Sequence, residues 1–318
     1  MKKTLVALSV LAAASAQAGI ELYNQDGVTV ALGGDVEVVY VKDKAKGSEA
    51  EQQIQDADIS LDVRYAINDA LQFGGFWQIN DVGVDEDAGN DGDAYVAFYS
   101  DDYGSIKFGR TCANLDDAGI GSDFQFGLST FFGGDDSHFC ADETIRYDLD
   151  KGAFYGGFAL VQDKNGDEGL NDDSTYFDGK LGYRVEDFDF TAFYGAGEVG
   201  EGAAAHDEKL WSAQARYNGV ENLELAAAYY NIDNSDVSID TIGLAATYTI
   251  EKVVFAGGYS TSKSDASGSD SFNAWYVNAG YKLAPNTTAY AEVGGDNGEN
   301  DQGESNETGV AVGIKAYF

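Results

Sequence analysis

The sequence predicts an all-β protein, a 16-stranded antiparallel transmembrane β-barrel. Three observations carry that prediction: a Gly- and aromatic-rich composition, a period-two alternation of apolar and polar residues, and a strict succession of short and long connections. The 318 residues include 40 Gly, 20 Tyr and 18 Phe but a single Pro. Such a composition suits many strands joined by polar turns.

The same arithmetic excludes several function classes. With 55 acidic against 19 basic side chains, the formal charge is −36. A surface this acidic repels phosphate backbones, so no nucleic-acid partner is expected. Two His and two Cys do not build the usual zinc or iron–sulfur centre. Intrinsic disorder would fit the charge but not 44% hydrophobic residues.

Residues 1–18 (MKKTLVALSVLAAASAQA) read as a cleaved signal peptide. Lys2 and Lys3 form the basic start, an apolar stretch follows, and Ala16 and Ala18 flank a small-residue cleavage signal. The apolar stretch is too short for a membrane anchor helix. Cleavage would take Lys2 and Lys3 away, leaving residues 19–318 as the barrel domain with a charge of about −38. The protein is thus expected in an oxidising compartment where thiols can pair.

No segment of the mature chain sustains helical periodicity, and period-two alternation recurs instead. In 28–42 one face carries Val28, Val30, Leu32, Gly34, Val36, Val38 and Tyr40, the other Thr29, Ala31, Gly33, Asp35 and Glu37. In 57–65 Ala57, Ile59, Leu61, Val63 and Tyr65 oppose Asp58, Ser60, Asp62 and Arg64. At the end, Val310, Val312, Ile314, Ala316 and Phe318 oppose Ala311, Gly313, Lys315 and Tyr317. Tight turns are expected near 68–69, 101–104, 150–152, 186–187, 218–219, 251–252 and 285–286. Long acidic or Gly/Ser-rich loops are expected near 43–54, 81–92, 111–138, 162–174, 198–207, 231–238, 260–271 and 295–307. Seven turns and eight loops in alternation give fifteen connections, hence sixteen strands. Strands of about ten residues, short turns at one rim and long loops at the other match an outer-membrane barrel.

A soluble β-sandwich or lectin would alternate too. Against it stand the up-and-down rhythm and the aromatics at strand ends: Tyr40, Tyr65, Trp77, Tyr95, Tyr147, Tyr183, Tyr194, Trp211, Tyr217 and Tyr281. Charges at mid-strand on the non-apolar face (Asp35, Asp58, Lys180, Arg184) fit a water-filled lumen and not a packed interior.

Specific stretches carry a resemblance to a known family. GIELYNQDG at 19–27, Ile67 and Asn68 followed by FGGFW at 73–77, YGSIKFGR at 103–110 and the terminal Tyr317 and Phe318 resemble the Gram-negative general porins, nearest to the acidic porin-like proteins of marine gamma-proteobacteria. The resemblance implies an outer-membrane location, a homotrimer, a third loop folded inward to narrow the pore, and no enzymatic activity or cofactor. The family's loop acid maps onto Asp123, counted from Arg110, with Asp117 and Asp116 alongside; a second family carboxylate falls at Gly127 and is missing. The alternative is that these Asp residues merely solvate a surface loop.

Departures from the family carry more information. General porins place Lys and Arg on the wall facing the acidic loop. Those positions fall here on Asp35, on Asp58, on Gly92 or Asp93, and on Cys140, leaving Lys107, Arg110, Arg64 and Arg146 nearby. The transverse field is then in doubt, and Asp35, Asp58, Asp116, Asp117, Asp123 and Arg110 are the constriction candidates of a cation-preferring pore. Carboxylates about 7 Å from a solute act with a few kcal/mol at most at an effective dielectric near 20, and about 1.4 kcal/mol already gives tenfold discrimination.

Cys112 and Cys140 bracket the third loop. Their pairing is expected, since two free thiols are uncommon in an exported protein, and would close a loop whose chain entropy is worth about 3–4 kcal/mol. Other motifs are weaker. The run 163–169 departs from a calcium loop at Glu168 and Ser174, so loose divalent binding by acidic loops, bridging to lipopolysaccharide, is the better reading. His138 and His206 lack triad partners. Two rivals stay open: an adhesive barrel with a closed lumen, and a substrate-specific channel in which Phe124, Phe126, Phe131 and Phe132 form an aromatic slide instead of anchoring the loop.

Overall fold

A computed structural model describes residues 19–80, 82, 92–130, 139–162, 170, 174–200, 205–235, 237–299 and 303–318. The expected signal peptide (1–18), His138, Phe131, Phe132 and the 163–169 run lie outside the described residues. The strands are β1 (Ile20–Gln25), β2 (Val28–Lys42), β3 (Glu51–Asn68), β4 (Leu71–Ile79), β5 (Ala94–Ser100) and β6 (Gly104–Cys112). A short 3-10 helix (Asn114–Ala118) precedes β7 (Cys140–Asp150), β8 (Phe154–Gln162), β9 (Thr175–Val185), β10 (Phe188–Val199) and β11 (His206–Val220). The chain ends with β12 (Leu223–Asp233), β13 (Ser238–Ile250), β14 (Val253–Ser264), β15 (Phe272–Ala284), β16 (Thr287–Asp296) and β17 (Gly309–Tyr317).

Each strand from β2 to β17 pairs antiparallel with the next, and β17 pairs back onto β2, closing a 16-stranded barrel. Closure leaves no unpaired edge, which is the condition for a sheet to stand in lipid. The short β1 was not expected. It pairs with the first part of β2 (Ile20↔Leu32 to Gln25↔Val28), while β17 takes the rest (Tyr317↔Asp35 to Val310↔Lys42). The first and last strands thus share one edge of β2, and Gly34 and Phe318 exchange backbone hydrogen bonds of 2.9 Å. At the other end of the seam three lysines tie the first long loop to the last: Lys42–Glu307 at 3.0 Å, Lys44–Asp296 at 2.7 Å and Lys46–Glu304 at 2.9 Å.

Six expected turns fall where the sequence placed them. The seventh is three residues later: Asn218 and Gly219 lie inside β11, at a register shift between Tyr217 and Val220, and the turn is Glu221 and Asn222. Asn222 supplies the left-handed conformation there (φ 62), one that Asn tolerates better than most residues. A bulge bends the strand at Asn218 and Gly219 and does not reverse it.

The wall is apolar outside and polar inside. Leu181 is 76% and Val312 57% exposed, whereas Asp178 and Glu292 are 1% exposed. That inversion of the usual burial order is what lipid outside and polar groups inside require. Most of the expected aromatic girdle is outward and exposed, including Tyr40, Trp77, Tyr183 and Trp211. Tyr95 is the correction: it is buried, stacks on Phe76 at 5.2 Å between centroids, and receives the Lys107 ammonium on its face. Its parity puts it on the inner side, which nearness to a strand end did not reveal.

Candidate functional site

Among the described residues, the largest buried apolar cluster joins the segment after β6 to the buried face of β8–β12. Leu115, Ala118 and Ile120 pack there against Val161, Tyr176, Phe193, Leu210 and Tyr230. Polar contacts fix the same stretch. The Leu115 amide donates to Asp178 at 2.6 Å, and Tyr230 donates to the Ala118 carbonyl at 2.8 Å. Arg216 donates to the Gly119 carbonyl at 2.7 Å.

Further along, the chain reaches β14, β15, β16 and β2. Tyr276 accepts from the Ser122 amide at 2.6 Å, and Ser260 accepts from Ser129 at 2.9 Å. Glu292, fully buried, is the main clamp. Its carboxylate accepts from the amides of Phe124 (2.7 Å), Gln125 (2.8 Å) and Phe126 (2.8 Å), and from the Asn278 side chain at 2.9 Å. Phe124 stacks on Tyr290 with centroids 3.8 Å apart, and Phe126 lies over Gly294 and Gly309, where an added Cβ would run into its side chain. These two aromatics therefore anchor the segment, as the anchoring alternative had it, and do not offer a free slide. Gly127 has φ 59, a conformation that favours glycine.

The expected disulfide is present: Cys112 and Cys140 are register partners at the ends of β6 and β7 and are bonded. It closes the base of the segment together with the hydrogen bond from the Ala113 amide to the Phe139 carbonyl. Reduction, or replacement of both cysteines by Ser, should remove about 3–4 kcal/mol of chain-entropy stabilisation. Faster unfolding in guanidinium, followed by loss of β-sheet circular dichroism, is the expected result. An unchanged rate would mean that the hydrogen bonds alone hold the base.

The remaining expected residues fall into five places. Asp117, on the 3-10 helix, accepts from Arg146 (2.6 Å) and lies beside Lys180, and Arg146 and Lys180 also meet Asp148 at 2.8 and 3.3 Å. Asp116 is exposed next to the disulfide. Asp123 is exposed into a cavity of about 310 Å³ that it shares with Ser122, Lys282, Lys315 and Tyr317. Both Asp116 and Asp123 keep one side open to solvent and are enclosed by protein on the others. That enclosure raises both carboxyls above the usual range, with the charge of Asp117 adding for Asp116 and that of Glu292 for Asp123. Arg110 stands apart: it is the register partner of Ala94 and pairs with Asp142 of β7.

Asp35 and Asp58 are direct register partners, and so are Glu37 and Asp56. Four carboxylates thus stand on two adjacent strands. Lys315 of β17 enters the group, 2.9 Å from Asp35 and Asp56 and 3.4 Å from Glu37. Sequence reasoning singled out neither Glu292 nor Lys315. Their strand parity was the available signal; barrel closure brings Lys315 to its partners, and the packing of the segment after β6 brings Glu292 to its own.

A profile of the Gram-negative porin family matches residues 4–301. Porin-like protein H of Photobacterium profundum is 32% identical over the full length of both chains. Outer membrane protein U of Vibrio parahaemolyticus is 30% identical, covering 91% of this chain and 88% of that protein. Among solved structures, the in-vitro folded trimer form of OmpT, an outer membrane protein of Vibrio cholerae, superposes with a TM-score of 0.72 at 17% identity, covering 92% of this chain and 100% of its own.

Proposed function

The chain belongs to the Gram-negative porin family, and from that premise we propose that its outer-membrane channel is water-filled, prefers cations, and passes small hydrophilic solutes and ions by passive diffusion. The observation that carries the reading is the segment 113–130, bound from Leu115 to Ser129 by side chains of the non-apolar face on β9, β14, β15 and β16. In this reading the segment folds inward, crosses the lumen and sets its free cross-section. Asp116, Asp117 and Asp123 on it, with Asp35 and Asp58 on the wall, act on passing ions at short range where salt screens weakly. Asp117 is largely compensated by Arg146 and Lys180, so Asp35, Asp58, Asp116 and Asp123 carry most of the preference. The chain is exported through cleavage of residues 1–18 and assembles as a homotrimer; the trimer form of the related fold supports the latter. Divalent cations at the acidic long loops bridge it to lipopolysaccharide.

The test is the zero-current potential of the purified protein in a planar bilayer under a KCl gradient, at neutral pH and on acidification. Stepwise conductance and a cation-signed potential are expected at neutral pH. Because enclosure raises Asp116 and Asp123, they take up protons as pH falls before ordinary carboxylates near pH ~4 do. Their negative charge is present above their raised pKa and lost below it. The cation preference should therefore begin to fall at a higher pH than ordinary carboxylates near pH ~4 would give. An anion-signed potential at neutral pH would overturn the charge assignment, and no conductance would put the closed adhesive barrel first.

A further inference from the structure

The group around Lys315 has a composition that its surroundings make informative. Asp35↔Asp58 and Glu37↔Asp56 are facing pairs on β2 and β3, and like charges directly opposite repel. One cation from the neighbouring strand answers three of them: Lys315, opposite Glu37 in the β17–β2 register, lies 2.9 Å from Asp35 and Asp56 and 3.4 Å from Glu37. The Gln78 amide donates to Asp58 and completes the set. Four carboxylates and one ammonium leave a formal charge of −3. The group is not sealed, because Lys315 also lines the cavity into which Asp123 projects.

We infer that Lys315 is the specificity-determining residue of this wall, a tethered counter-ion that occupies the place a passing cation would otherwise take. The inference rests on the channel reading above. A lysine ammonium is a compact point charge on a flexible stem, so it weakens the local field without itself carrying current. It also sits against Asp35 and Asp56, two of a trio with Asp58 whose carboxylate oxygens lie within 4.8 Å of one another. Without the lysine, that arrangement is a hard oxygen-donor set of the kind Mg²⁺ and Ca²⁺ prefer. Lys315 thus holds the pore to a moderate monovalent preference and keeps divalent cations from lodging in the wall.

Wild type, Lys315→Gln and Lys315→Arg are compared in planar bilayers, first by zero-current potential in a KCl gradient and then with MgCl₂ titrated into symmetric KCl. Lys315→Gln should raise the K⁺/Cl⁻ permeability ratio severalfold. It should also make the K⁺ current at least tenfold more sensitive to Mg²⁺, while Lys315→Arg stays near wild type in both. A lysine that only braces the wall would move neither quantity. Asp56→Asn keeps the lysine, serves if Lys315→Gln does not fold, and should shift the potential the opposite way. A conducting wild type with unchanged potential and Mg²⁺ response in these variants overturns the inference alone. A wild type that does not conduct overturns the channel reading and this inference with it.

Discussion

Replacing Asp58 by Arg should lower the cation-to-anion permeability ratio about tenfold. The substitution changes the local charge by two units next to Asp35, its register partner. At about 7 Å each unit acts on a passing ion with ~0.6 kcal/mol in bulk water and ~2.4 kcal/mol at an effective dielectric near 20. Two units at the lower figure already approach a tenfold change in the ratio. The check is the zero-current potential in a KCl gradient, with Asp58→Asn as the milder control of the same sign. If the ratio stays put while conductance persists, Asp58 does not face the ion path, and the wall group around Asp35 is not the selectivity element.

The second large effect concerns the clamp. Glu292→Ala removes the acceptor for the amides of Phe124, Gln125 and Phe126 and for the Asn278 side chain. Each hydrogen bond to a charged group is worth about 1.5–3 kcal/mol, and each buried amide left without a partner costs about 1–3 kcal/mol. The Phe124–Tyr290 stack alone, at roughly 0.5–1.5 kcal/mol, does not replace them. The tip of the segment should detach, with a rise in single-channel conductance and a marked increase in open-channel noise. Glu292→Gln keeps an acceptor oxygen and should fall between. Quiet currents of wild-type size from Glu292→Ala would show that the aromatic anchors suffice.

Much of the fold was legible in the chain. Strand count, closure and the two rims followed from alternation and connection length, because a residue's face depends only on its parity along a strand. The disulfide was legible as well, since Cys112 and Cys140 bracket the longest loop. The errors have a common cause. Asn218 and Gly219 read as a turn because their preferences fit one, yet the same preferences fit a bulge, and pairing with β12 decides between them. Tyr95 read as girdle because it stands near a strand end, while its parity, fixed by the β4–β5 register (Phe76↔Tyr95), places it inside.

By itself the sequence determined the architecture, the outward apolar surface and the placing of Asp35 and Asp58 on the opposite face of their strands. These are local properties, set by the order of residue types along each strand. The tertiary structure alone decided which charges answer one another. Lys315 lies 259 residues from Asp56 and Glu292 lies 168 from Phe124. Asp117 comes to Arg146 and Lys180 only once the segment after Cys112 lies against β7 and β9. The physical reasons are the packing of that segment on the wall and, for Lys315, ring closure. Closure sets the last strand beside the first, and both turn charges remote in sequence into neighbours a few ångströms apart, where their mutual fields outweigh those of residues adjacent along the chain.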